Sequence, residues 1–136
     1  MTMNVFDVSA RAMNAQMLRL NTVASNLANM NSVSTTRDGA YKPMRPVFET
    51  QFADQLQQTG LSTVDVSSVV QLDRAPTQSF QPDHPLANEE GYVFQSSVNS
   101  DEEMVEMMEA SRQYQNTLEV VSTLRNLMAK TTRMGQ

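Results

Sequence analysis

At 136 residues with a net charge of -5, the chain is the size of one ordinary domain and is a poor match for nucleic acid or anionic lipid. It has no cysteine, which excludes disulfide and thiol chemistry, and no Trp in a composition that is 6% aromatic, so a large core is not expected. No apolar run approaches the ~20 residues that span a bilayer, and Asp7 and Arg11 interrupt the first stretch where a cleavable secretory signal would lie.

The first predicted element is a helix over residues 5–29, which contain no Gly or Pro. Phe6, Ala10, Met13, Met17, Leu20, Ala24 and Leu27 follow the alternating four and three spacing of a heptad seam. A second stripe of smaller residues, Val5, Val8, Ala12 and Ala15, implies more than one neighbour. Asn29, Asn31, Ser32 and the Asp38-Gly39 pair then mark a helix end and a loop.

Tyr41 to Phe48, with Pro43 and Pro46, reads as extended chain. Phe48, Phe52 and Leu56 form one short helical face, an ambiguous stretch that Gly60 ends. Leu61 to Asp73 is β-branched and reads as a strand, with a bulge or face switch expected at Val69-Val70. Turns follow at residues 81–85 and at Gly91, and Tyr92 to Val98 is the last predicted strand. No 20- to 50-residue repeat is present, so a solenoid is not supported.

Asp101 to Met134 runs 34 residues without Gly or Pro, and Ser100 with Glu103 reads as a capping box at its start. Carboxylates crowd the beginning (Asp101, Glu102, Glu103, Glu106, Glu109) and cations the end (Arg125, Lys130, Arg133), the order a helix dipole favours. Met107, Ala110, Tyr114, Thr117, Val121, Leu124 and Met128 make a second seam. Such a helix is roughly 50 Å long, more than one small globule can bury. The two ends are therefore expected to become rigid only against sibling chains. The competing reading is an ordinary intramolecular hairpin.

No chemistry is expected. His84, the single histidine, stands between Asp83 and Pro85 in a predicted turn and lacks a nucleophile elbow. The carboxylates from Asp101 to Glu109 read as a solvated, dipole-stabilising end and not as a metal site. No phosphate-binding loop, dinucleotide fingerprint or zinc helix occurs, so neither cofactor nor metal is anticipated.

Ser25-Asn26-Leu27-Ala28-Asn29, followed by Asn31-Ser32, resembles the N-terminal signature of the flagellar axial proteins, the rod, hook and hook-associated proteins. Glu103-Met104-Val105 and Ala110 to Gln115 resemble that family's C-terminal helix. The opening Asn4 to Ser9, Pro82 to Ala87 with Gly91-Tyr92-Val93, and Lys130-Thr131-Thr132 through Gly135-Gln136 are similar to the proximal members of the basal-body rod family. Asp83 departs from the pattern, where Gly is expected before the His-Pro pair.

The resemblance implies an α+β chain. Residues 1–36 and 100–136 would be two halves of an inner-tube domain, paired in an inter-subunit coiled-coil-like layer. Residues 37–99 would be a small central antiparallel β region facing outward. It implies a structural subunit of the periplasmic rod, exported through the flagellar type III apparatus without a cleaved signal. Partners would be further copies, other rod proteins and the surrounding rings, with no nucleic acid and no membrane insertion. The expected packing anchors are Phe6, Met13, Met17, Leu20, Leu27, Met107, Tyr114, Leu118, Val121, Leu124 and Met128, with Asn26 and Asn29 fixing the helix end. Leu27→Asp is expected to abolish assembly by burying a charge in the seam. The alternatives are another rod subunit of the family, or a soluble coiled-coil export chaperone or adaptor.

Overall fold

The fold was obtained as a computed structural model, which describes residues 4–52 and 62–136. Helix α1 spans Val5–Ala28. Its start is closed by a capping box, in which Asn4 Oδ1 accepts from the Asp7 amide at 2.9 Å and Asp7 Oδ2 accepts from the Asn4 amide at 3.3 Å. Helix α2 spans Ser100–Met134. Between them lie β1 (Val33–Ser34), β2 (Met44–Phe52), β3 (Ser62–Gln71), β4 (Thr77–Phe80) and β5 (Tyr92–Gln95). The chain is α+β, as its pattern implies.

The strands form two antiparallel units, a ribbon of β2 with β3 and a small sheet in the order β1-β5-β4. Phe48 to Phe52 is strand and not helix, because it continues β2 opposite Val66 to Ser62; the predicted partner Leu56 lies outside the described residues. The expected bulge is also displaced. Val47 faces Ser68 and Phe48 faces Val66, so the extra residue is Ser67, while Val69 and Val70 pair regularly with Pro46 and Arg45. The predicted strand over residues 92–98 stops at Gln95. Strands β1 and β4 have no clear sequence signal, being two and four residues long.

The two helices run antiparallel, with Asn26 beside Glu103 and Arg19 beside Glu106 and Glu109. The intramolecular hairpin is thus formed, and α1 also contacts β2 and β3. At ~100° per residue, the most buried positions of α1, namely Ser9, Ala15, Thr22, Val23 and Asn26, share one sector between its two neighbours. The heptad seam lies roughly a third of a turn away, at the rim of the α2 contact. The smaller-residue stripe leads into the buried sector: Val5 is exposed, Val8 and Ala12 are half-buried, and Ala15 is buried.

Among the described residues the buried apolar core is made of small side chains, Ala15, Val23, Ala40, Val93 and Ala110. Small residues let backbones approach closely but bury little area each. Every residue of α2 from Arg125 onwards is exposed, so about ten residues project past the region where α1 covers the helix.

Candidate assembly surface and the junction that orients it

The start of α2 is set by Asn99 and not by Ser100. The Asn99 side chain accepts from the amides of Asp101 (3.0 Å) and Glu102 (3.3 Å). Glu103 therefore does not fold back as the outer half of a capping box. It turns inward and is fully buried.

What receives Glu103 is Asn26, also fully buried. Asn26 Nδ2 donates to Glu103 Oε2 at 3.1 Å and to the Met44 carbonyl at 2.9 Å. Asn26 Oδ1 accepts from the Met44 amide and from the Tyr41 hydroxyl, each at 2.9 Å. The side-chain amide thereby satisfies both backbone groups of Met44, as a neighbouring strand would, and uses its full capacity of two donors and two lone pairs. Asn26 fastens α1 to the start of β2, so its side chain does not fix the helix end. Asn29 does that, with its side chain donating to the Ser25 carbonyl at 2.8 Å and its amide bonding Ser25 and Asn26.

Around this pair the acidic start of α2 is neutralised, which corrects the expectation of a solvated end. Arg45 Nη2 lies 2.6 Å from Glu103 Oε1 and 3.3 Å from Glu102 Oε1. Arg74 grips Glu102 with two hydrogen bonds of 2.7 and 2.8 Å, the strong fork geometry of guanidinium with carboxylate. Arg19 donates from Nε to Glu106 Oε2 at 2.9 Å and reaches Glu109 at 3.4 Å. The Arg74 hydrogen bonds hold the Glu102 carboxyl below its usual range, with the charges of Arg74 and Arg45 adding to the effect. Burial works to lower the Arg45 pKa, but the hydrogen bond and charge of Glu103, with the charges of Glu106 and Glu102, outweigh it and raise the group overall.

Composition and periodicity missed Arg19, Tyr41, Arg45 and Arg74. One signal was available. The acidic run from Asp101 to Glu109 contains no Lys or Arg, and on its own helix Arg112 is within reach of Glu109 alone, so counter-charges for the others come from elsewhere in the fold.

The expected anchors fall into two groups. Phe6, Met13, Leu20 and Leu27 of α1, with Met107, Tyr114, Val121 and Leu124 of α2, are half-buried along the hairpin. Met17, Leu118 and Met128 are exposed, at 42%, 46% and 57%. They are joined on α2 by exposed Met104, Val105, Met108, Val120 and Leu127. So many uncovered large apolar side chains on one helix are what a surface for another protein requires. Among the described residues no helix is long and apolar enough to cross a membrane.

His84 sits in a turn, where its Nδ1 accepts from the Leu86 amide at 3.0 Å. Asp83 leaves that turn intact: the His84 and Ala87 amides close it on Gln81 and His84.

The helices are also where the chain matches known families. Residues 6–34 match the family described as flagella basal body rod protein, and residues 89–134 match the flagellar basal body rod FlgEFG protein C-terminal family. Over 134 residues it is 40% identical to the flagellar basal-body rod protein FlgC of Salmonella typhimurium, covering 98% of both chains. The chain belongs to the FlgC family of flagellar basal-body rod proteins. FlgC of Yersinia enterocolitica is 41% identical over 135 residues, with 98% of each chain covered. FlgC of Aquifex aeolicus is 34% identical over 129 residues, 94% of this chain and 92% of that one. These alignments cover the β region as well as the two helices.

Proposed function

We infer that this chain is a structural subunit of the proximal part of the flagellar basal-body rod, acting by polymerisation and not by catalysis. The observation that carries this reading is the end-to-end similarity to FlgC proteins. The uncovered apolar side chains of α2 support it physically, since a helix with apolar residues on more than one face has more than one neighbour.

In this reading residues 1–36 and 100–136 form the inner tube, with the helices packing copy against copy, and residues 37–99 face outward. The buried junction at Asn26 and Glu103 sets the angle between the two parts. A contact that does not close on itself generates a helical polymer, and long interlocked helices suit a shaft that carries torque around an export channel. Other rod proteins, the flagellar type III export apparatus and the surrounding rings are the remaining partners. The chain crosses to the periplasm through the flagellum's own export route.

The test is Leu118→Asp in a strain lacking its own copy of the subunit. Leu118 is exposed, so the change should leave folding stability within about 0.5 kcal/mol. A charge placed in a copy-to-copy seam should nevertheless abolish motility and rod assembly. Normal swarming with intact basal bodies by electron microscopy removes Leu118 from the assembly surface. Loss of the whole chain without loss of the rod removes the function.

A further inference from the structure

The sequence holds one Asp-Gly pair, Asp38-Gly39, and no Asn-Gly. The pair sits in the turn between β1 and β2, and the chain that leaves it supplies Tyr41 and Met44 to the Asn26 junction. An aspartate followed by glycine is open to attack by the next amide nitrogen on its own side-chain carboxyl, because no Cβ shields that nitrogen. Ring closure is intramolecular, so its rate is set by how readily the two groups reach attack geometry.

The fold leaves one of those groups free and holds the other. The Asp38 carboxylate is exposed and lines an open cleft of about 370 Å³ with Arg37, Lys42 and Asp73. It makes no hydrogen bond or ion pair among the described residues, so it has room to swing onto the backbone. The Gly39 amide instead donates to Thr36 Oγ1 at 3.1 Å. The turn is further fixed by the Thr36 amide on Ser34 Oγ at 3.2 Å and by the Ala40 amide on the Arg37 carbonyl at 3.4 Å. A side chain at residue 39 would not remove the weak point cleanly. Its Cβ would stand 2.5 Å from Ser34 Oγ and 2.7 Å from Thr36 Oγ1, the two hydroxyls that order the turn.

We propose that Asp38 is a site of spontaneous backbone isomerisation and that the Thr36 hydroxyl is its brake. The Gly39 nitrogen bonds to Asp38 Cγ while one carboxyl oxygen departs as water, taking the amide proton and one proton from solvent. Water then adds to the ring at the former main-chain carbonyl of Asp38, and the bond from that carbon to the Gly39 nitrogen breaks. The chain now runs through the side-chain carboxyl, with the α-carboxylate left as the side group. One water is lost and one regained, so neither oxidant nor co-reactant is needed. The Gly39 amide must leave Thr36 Oγ1 before the first bond can form, which is why the hydroxyl slows the reaction. The product carries an extra methylene in the main chain two residues before buried Ala40 and three before Tyr41, so it displaces the segment that Asn26 holds. This goes beyond the rod-subunit reading and does not rest on it.

The test is to age the purified chain in neutral buffer at physiological temperature and follow the β-linked form at residue 38 by mass spectrometry, with fragmentation that separates the two linkages. Thr36→Ala should isomerise about two- to tenfold faster than the unsubstituted chain, the range that one lost hydrogen bond supplies. Thr36→Ser, which keeps the hydroxyl, should stay slow. A Thr36→Ala chain that is folded by circular dichroism and no faster than the unsubstituted one overturns the brake. A second comparison needs no variant: the unsubstituted chain unfolded in urea should isomerise faster than the same chain folded. Equal rates in the two states, or no β-linked product in either, overturn the proposal. Each of these outcomes leaves the rod-subunit reading standing.

Discussion

Replacing Asn26 with Ala tests the junction most directly. The side chain is fully buried and makes four hydrogen bonds, to the Met44 amide and carbonyl, the Tyr41 hydroxyl and Glu103. Leaving a buried polar group without its partner costs about 1–3 kcal/mol, more where it is charged. Tyr41 and Met44 are half-buried and can recruit water, so the four costs do not simply add. A net loss of about 3 kcal/mol is the reasonable expectation. At a urea m-value of roughly 1.5–2 kcal/mol/M, the midpoint should fall by about 1.5–2 M. The control is Asn29→Ala, three residues on in the same motif. It gives up one side-chain bond to the Ser25 carbonyl and keeps the backbone cap, so about 0.5–1 kcal/mol is at stake. Urea titrations of both purified variants, followed by helical circular dichroism, decide the matter. If Asn29→Ala is as damaging as Asn26→Ala, the junction does not hold the hairpin to the β region.

Three further outcomes are expected. Glu102 has a lowered carboxyl pKa in the fold, so its contribution is present above the usual carboxylate range and is lost as pH falls through that lowered value. With its side chain 38% exposed the effect is modest, and Glu102→Gln should flatten the acid limb of stability against pH, which a series of urea midpoints between pH 2 and 6 would show. Gly91 has φ +82°, and a Cβ there would stand 2.9 Å from the Phe80 ring and 3.2 Å from Pro82. Gly91→Ala should therefore cost about 1–2 kcal/mol, read as a lower urea midpoint; no change would mean that the turn relaxes freely. Amide exchange on dilute chain should be slowest near Val23 and Ala110 and fastest beyond Arg125, and uniform protection along α2 would contradict this gradient.

The helices were legible because burial along them obeys a period that sequence displays. Leu20, Tyr114 and Val121 recur at helical spacing whatever they contact. Which side of α1 would be most buried was not legible, since that depends on where the ribbon lies, and the seam alone cannot reveal a second neighbour's position. The junction was hidden for a different reason. Asn26, Tyr41, Arg45, Arg74 and Glu103 are scattered over 78 residues and carry no spacing rule, because they meet through the fold and not along one element. Asn26 stood inside the recognised motif, yet the motif gives the residue without the partner. Residue type misled as well. A Glu three residues after a Ser reads as the outer half of a capping box, but the helix is capped one residue earlier, by Asn99, and the Asn26 amide and the Arg45 guanidinium make burying Glu103 tolerable.

These two kinds of contact divide the work of the molecule. Apolar packing between α1 and α2 is thin, made of small buried side chains and half-exposed larger ones, so the hairpin alone is not strongly stabilised. The charged junction adds little net stability against an apolar replacement, but it accepts only one geometry, because a misplaced Glu103 or Arg45 is a buried charge without a partner. On the function proposed above, a subunit that crosses an export channel before joining a stiff shaft benefits from this combination. Weak apolar seams keep the free chain easy to unfold, while a directional polar lock sets the angle at which the finished hairpin meets the β region. Replacing Glu103 and Arg45 together with Leu and Met should therefore raise the urea midpoint or leave it unchanged while impairing assembly. A double variant that assembles normally would show that the lock is dispensable for orientation.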